Sequence, residues 1–193
     1  MSPDFERLYR EPDPFGYATR WYERRKRALL LALLPRPHFR RAWELGCSTG
    51  ALARQLAARC GQVLGTDLSA RAIAQAQAAG TAPNLSFECS AQPAQWPPGR
   101  FDLIVFSEVG YYFDAPALAL AAGRMAASLE PDGGVVACHW RHPFAGRLHS
   151  AEQVHARLAT AMGGPPSHHY RDADMLLQAW WPGPSIAERE GLA

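Results

Sequence analysis

With 193 residues, 48% of them hydrophobic, the chain is long enough to bury one substantial core and too short for two ordinary domains. The 20 Lys and Arg against 18 Asp and Glu leave a formal charge of +2, too little to require nucleic acid or an anionic membrane surface as a partner. Cys47, Cys60, Cys89 and Cys138 form no C-x-x-C pair, which argues against a disulfide framework or a zinc site and fits reduced thiols in a cytoplasmic protein. The opening residues hold no apolar segment behind a basic end, and the longest apolar run, Ala28 to Leu34, is far shorter than a bilayer requires.

A polar, proline-containing lead-in precedes a helix expected from Phe15 to Leu34, stopped by the PRPHF segment. Tyr17, Trp21, Ala28 and Leu31 fall near one face of that helix, suited to docking on a sheet or capping a pocket, and the run Arg24 to Arg27 reads as a solvated face. Residues 1–35 are therefore expected to form a helical cap on one domain spanning residues 1–181. From residue 41 onward short apolar strands alternate with alanine-rich helices, which predicts a doubly wound α/β architecture. In it a mostly parallel, seven-stranded sheet is flanked by helices. FDLIVFS is apolar almost throughout, as a central strand covered on both faces should be. AEQVHARLATAM reads as a further helix, HHYRDAD and LLQAWWP as terminal strands, and residues 182–193 as a tail with little to pack.

Between the first strand, RAWELG, and the helix opening near Ala51 lies a turn bracketed by Gly46 and Gly50, with Cys47, Ser48 and Thr49 inside it. Such a turn lets a ligand approach the backbone and presents N–H donors to it. The second strand ends in Asp67, about twenty residues beyond Gly46, where a carboxylate can accept both hydroxyls of a ribose. Dinucleotides and S-adenosylmethionine both use this geometry. A dinucleotide site wants G-x-G-x-x-G, but Ser48 and Ala51 occupy the second and third glycine positions. Glu44, just before the turn, would also repel a pyrophosphate, whereas it can orient the amino group of a methionine moiety. The sulfonium cofactor is favoured.

ELGCSTG, GTDLS, FDLIVFSEVGYYF and LEPDGGVVACHW together resemble a class I S-adenosylmethionine-dependent methyltransferase with its Rossmann-like fold, over roughly residues 40 to 140. FSEVGYYF, HWRHP and the helix before the glycine turn are more narrowly similar to the nodulation protein S group, which N-methylates the free amine of a de-N-acetylated chitooligosaccharide. The resemblance implies that Glu44, Gly46, Cys47, Ser48 and Gly50 surround the methionine part of the cofactor, that Asp67 holds the ribose and that Leu68 packs on adenine. It also implies that Ser107 approaches the cofactor through its backbone carbonyl. Where the family carries an acidic residue for the adenine amino group, this chain has Ser90, Ala91 and Gln92; Ala91 and Gln92 are the expected replacements. Trp21 is expected to belong to a lid over the cofactor.

Methyl transfer needs an acceptor lone pair placed opposite the sulfonium, water excluded, and a group to take the proton of an amine acceptor. Strand ends face the ligand crevice in such sheets, so Glu108 is the first candidate base and His139 the second. Tyr111 and Tyr112 are expected to wall the acceptor pocket, and Arg141 to hold a sugar hydroxyl or a carboxylate. His139 and His142 do not suggest a metal pair, because Pro143 interrupts the segment and no further ligand follows closely. The expected acceptor is a small molecule or a glycan end, with neither nucleic acid nor membrane as partner. The alternatives at this level are an O-methyltransferase, a cofactor-binding module without catalysis and a dinucleotide oxidoreductase.

Overall fold

The computed structural model describes residues 4–193. Seven strands form one sheet: β1 (Phe39–Leu45), β2 (Cys60–Asp67), β3 (Leu85–Cys89), β4 (Phe101–Ser107), β5 (Leu129–Trp140), β6 (His168–Arg171) and β7 (Met175–Trp180). Their order is β3-β2-β1-β4-β5-β7-β6; β1 to β5 pair in parallel, and β7 runs antiparallel to both β5 and β6. The chain reverses its direction across the sheet between β1 and β4. Ligands in open α/β sheets bind beyond the carboxyl ends of the strands at such a switch point.

β4 is buried from Phe101 to Phe106 and alternates between the two faces of the sheet. Leu103 and Val105 enter a core that includes Leu30, Leu52 and Leu56, whereas Ile104 and Phe106 enter one built with Leu118, Met125 and Leu158. The crossover helices α3 (Ala51–Ala57), α4 (Ala70–Ala78) and α5 (Ala115–Ala127), and the later α6 (Ala151–Ala161), supply these residues together with α2 (Trp21–Leu33). Three of these helices start at side-chain caps: Ser69 for α4, Asp114 for α5, and Ser150 with Gln153 in a capping box for α6. Asp102 is 2% exposed and fastens β4 to the start of β1 by accepting N–H bonds from Arg40 and Arg41, each 2.8 Å. Among the described residues no helix is long and apolar enough to cross a membrane.

The N-terminal region departs from the sequence expectation. The helix begins at Trp21, not Phe15, because Asp13 accepts the N–H groups of Tyr17 and Ala18 in a local turn, Gly16 is left-handed at φ 74° and Arg20 is extended. A separate turn of helix, α1 (Phe5–Leu8), precedes it. The buried face of α2 is Glu23, Lys26, Arg27 and Leu30, so half of the basic run expected in solvent points inward, and Trp21 is 69% exposed. The tail contains one helical turn, α7 (Ile186–Arg189), and Arg189 donates to the Pro35 carbonyl at 2.9 Å.

Asp102→Ala would leave the N–H groups of Arg40 and Arg41 without their charged acceptor. Loss of two such bonds is expected to lower unfolding free energy by about 3 kcal/mol in urea denaturation; a loss below about 1 kcal/mol would mean that water replaces the carboxylate.

Candidate functional site

A cavity of about 430 Å³ lies beyond the carboxyl ends of β1, β2, β4 and β5, under the N-terminal segment. This is within the usual size range of ligand pockets. Gly46, Ser48, Asp67, Leu68, Gln92, Ser107, Glu108, Tyr111 and Tyr112, all expected from the sequence, line it. A smaller annex, about 30 Å³, adjoins through the shared wall of Gly46, Ser107 and Glu108, and Glu44 and Cys47 line that annex.

The turn after β1 owes its shape to backbone conformations that few residues adopt. Gly46, Ser48 and Gly50 have φ of 75°, 51° and 72°. A Cβ on Gly46 would meet Val109 Cγ1 at 2.1 Å, and one on Gly50 would meet the Phe87 ring at 2.5 Å. Gly46 therefore brings the turn close to the β4 loop, and Gly50 supports it from behind. Asp67 accepts from the Ser48 N–H at 3.0 Å on one oxygen and from the Ser69 N–H at 3.0 Å on the other. A carboxylate has about four acceptor positions, so capacity remains toward the cavity. Burial raises its pKa, and those N–H bonds work in the opposite direction. Leu68 is 53% exposed, an apolar wall beside it.

Glu108 follows β4 in a left-handed conformation, φ 60°. One carboxylate oxygen accepts from Tyr22 Oη at 3.3 Å and Lys26 Nζ at 3.2 Å; the other accepts from the Trp140 N–H at 3.1 Å and from Tyr111 Oη. All four acceptor positions are thus occupied. Lys26 also meets Glu23 at 2.9 Å, with only 6% of its side chain exposed. Burial opposes the charged form of Lys26, but Glu108 and Glu23 outweigh it and hold the ammonium above its ordinary value. Burial, and then the Glu108 charge, raises the pKa of Tyr22 and Tyr111, so both phenols are neutral and spend their protons on Glu108. Each phenolic oxygen keeps its lone pairs. Glu44 is 5% exposed, one of its oxygens has no partner, and burial pushes its pKa up to about 8.

Four expected residues lie elsewhere. His139 is fully buried: its Nε2 accepts the Gly110 N–H at 3.1 Å and its Nδ1 meets His155 Nε2 at 3.0 Å. Since a backbone N–H can only donate, Nδ1 must carry the hydrogen, His155 Nε2 must accept it, and His155 Nδ1–H then donates to Gln178 Oε1 at 2.8 Å. Neither ring nitrogen of His139 is free to act as a base. Its role is to hold the turn Gly110–Tyr112 that carries Tyr111. Arg141 pairs with Glu152 at 2.9 Å and with the Asp172 carbonyl, outside the cavity lining. Ala91 is exposed and its N–H is taken by Gln95 Oε1 at 2.8 Å, so of the adenine candidates only Gln92 reaches the cavity. Trp21 lies in solvent with Arg24 5.9 Å from its ring, not in a lid.

Tyr9, Tyr22, Glu23, Lys26, Trp140 and Phe144 line the cavity without having been singled out from the sequence. Tyr9 reaches across to Ser48 Oγ at 2.6 Å, while Gln75 holds the Tyr9 carbonyl at 2.8 Å and Phe5 packs edge-on against Tyr112. The N-terminal segment is thereby pinned on both sides of the cavity. Tyr22 and Trp140 meet edge to face with centroids 4.7 Å apart. The signal for Glu23 and Lys26 was the apolar stripe through Leu30 and Leu34, which one turn back passes through Lys26 and Arg27 and two turns back through Glu23.

The family described as methyltransferase domain matches residues 42–133. No curated protein is significantly similar to the chain. Among solved structures, a candidate methyltransferase from Pseudomonas syringae is 42% identical, with 84% of this chain and 100% of that one covered and a TM-score of 0.72. The N-methyltransferase NodS from Bradyrhizobium japonicum WM9, in complex with S-adenosyl-L-homocysteine, is 26% identical over 93% of this chain and 96% of its own, with a TM-score of 0.79.

The buried histidine chain has a pH signature. Burial pushes His155 down to about 4. Below the free histidine value of about 6.5 the unfolded chain takes up a proton that the folded one refuses, so stability falls between about 6.5 and 4. Glu44 acts in the opposite sense, since its contribution is lost as pH rises from the free carboxylate value of about 4.3 toward 8. His155→Gln, which keeps an acceptor for His139, should therefore lose about 2 kcal/mol less than the parent between pH 7 and pH 5 in denaturant titrations. Parallel pH slopes for the two proteins would contradict this.

Proposed function

Because the chain belongs to the S-adenosylmethionine-dependent methyltransferases and uses S-adenosylmethionine as its cofactor, we propose that it methylates the nitrogen of an amine, carried by a small molecule or by the amino-sugar end of an oligosaccharide. The cavity fits the cofactor. Asp67 keeps acceptor capacity for ribose hydroxyls, Leu68 offers an apolar wall to adenine, and Gln92 is the polar side chain left to meet its amino group. The buried orphan oxygen of Glu44 suits an ammonium. When bound, the cofactor supplies an electrophilic methyl group on a sulfonium centre.

The observation that supports an amine acceptor is the hydrogen-bond cluster around Glu108. Tyr22 and Tyr111 give their hydrogens to the carboxylate, so toward the cavity they offer acceptor lone pairs only. Two such oxygens suit the N–H groups of a neutral amine and turn its own lone pair toward the methyl group. Because Glu108 is saturated, its part is played through the tyrosines. After the N–C bond forms, the ammonium product passes a proton to a tyrosine oxygen as that tyrosine's proton moves to Glu108. Tyr112, Trp140 and Phe144 supply flat apolar faces on the acceptor side, suited to the face of a sugar ring.

Glu108→Gln should reduce the rate of methyl transfer by about a hundredfold or more while changing affinity for S-adenosylhomocysteine only a few-fold. The assay is radiolabelled methyl uptake by a panel of amines, glucosamine oligomers and phenols. Turnover of phenols or alcohols alone, or a Glu108→Gln variant impaired only in cofactor binding, would overturn the reading.

A further inference from the structure

The acceptor wall presents the same chemical group twice. Tyr22 and Tyr111 come from different segments, yet both give their phenolic hydrogen to Glu108, each to a different oxygen of that carboxylate. Bound to one carboxylate, the two phenolic oxygens lie near each other, and among the described residues no donor meets either of them. The walls around them are aromatic. Tyr22 stands edge to face with Trp140, centroids 4.7 Å apart, and Tyr111 packs against Phe144 at 4.8 Å, Tyr112 at 4.9 Å and His139 at 5.2 Å.

We infer that this pair of oxygens selects a primary amine and stops the reaction after one methyl group. The inference rests on the amine reading above and adds to it the number of N–H groups the site requires. A neutral primary amine has two N–H groups and one lone pair, so both oxygens are met while the lone pair faces the methyl group. As the N–C bond forms, the C–S bond breaks and its electron pair stays on sulfur; the nitrogen then loses one proton through a tyrosine to Glu108. The product is a secondary amine with a single N–H. To react again with its lone pair aimed the same way, it must turn its methyl group toward one tyrosine oxygen, which is then left without a donor among aromatic rings. A site built to bond an N–H rejects ligands that lack it. Tyr22 is where the restriction can be lifted, because it is only half-buried and meets Glu108 at a long 3.3 Å, whereas Tyr111 is 4% exposed and held by three rings.

Mass spectrometry of the products, with S-adenosylmethionine in excess over the intact protein, tests it. Glucosamine oligomers and simple alkylamines are each supplied beside their N-methyl derivatives. The parent should release monomethylated product and use the N-methyl acceptors about tenfold or more slowly than the primary amines. Tyr22→Phe keeps the ring against Trp140, leaves Tyr111 to relay the proton, and should raise the ratio of dimethylated to monomethylated product about tenfold or more. An unchanged ratio in that variant would overturn the inference, since loss of packing alone slows both transfers alike. So would accumulation of dimethylated product by the parent, or equal use of primary and N-methyl acceptors, a comparison that stands even where the variant folds poorly. Methylation of no amine at all would instead remove the amine reading, and this inference with it; turnover of primary amines separates the two failures.

Discussion

The functional end of the sheet is organised by one carboxylate. Glu108 gathers donors from three segments that are distant in sequence: Tyr22 and Lys26 on α2, Tyr111 on the turn after β4, and the backbone of Trp140 at the end of β5. Its left-handed backbone costs on the order of 1–2 kcal/mol for a residue with a Cβ. Four hydrogen bonds, one from a buried ammonium, offset that cost. Removing one partner of such a buried pair typically destabilises by about 3–5 kcal/mol, because the other charge is left uncompensated. Docking of α2 and construction of the cavity wall are therefore a single event.

That coupling explains why a helix rich in basic residues belongs against the sheet. Lys26 lies between Glu23 and Glu108, so its inward charge meets one carboxylate from the helix itself and one from the end of β4. The histidine chain beneath Gly110 has a complementary role. By fixing the turn that carries Tyr111 it sets the direction of the tyrosine hydroxyl, and its neutral rings place no second cation beside Lys26.

Features governed by local backbone geometry were legible in the sequence. The alternation of strands and helices gave the sheet, and the two glycines with Asp67 marked the turn that faces the cavity. Features governed by tertiary charge compensation were not. Lys26 and Arg27 read as solvated because burial of a charge depends on carboxylates that only the folded chain brings near. At the end of β5 the misreading was one of parity: His139 shares its side of the strand with Ala137 and packs against α6, while the adjacent Trp140 is the residue at the cavity. Trp21 failed through helix phase, since the inward stripe passes through residues 23, 26, 27 and 30. Ala91 failed because Gln95, four residues on, occupies its N–H.

The Lys26–Glu108 pair joins α2 to the ligand end of the sheet. A double-mutant cycle with Lys26→Met, Glu108→Gln and the combined variant, measured by urea denaturation without ligand, tests it most directly. A direct buried interaction predicts a coupling energy of about 1–3 kcal/mol, with the double variant less destabilised than the two single losses together imply. Additivity within about 0.5 kcal/mol would mean that the two residues act independently and that packing alone seats the helix.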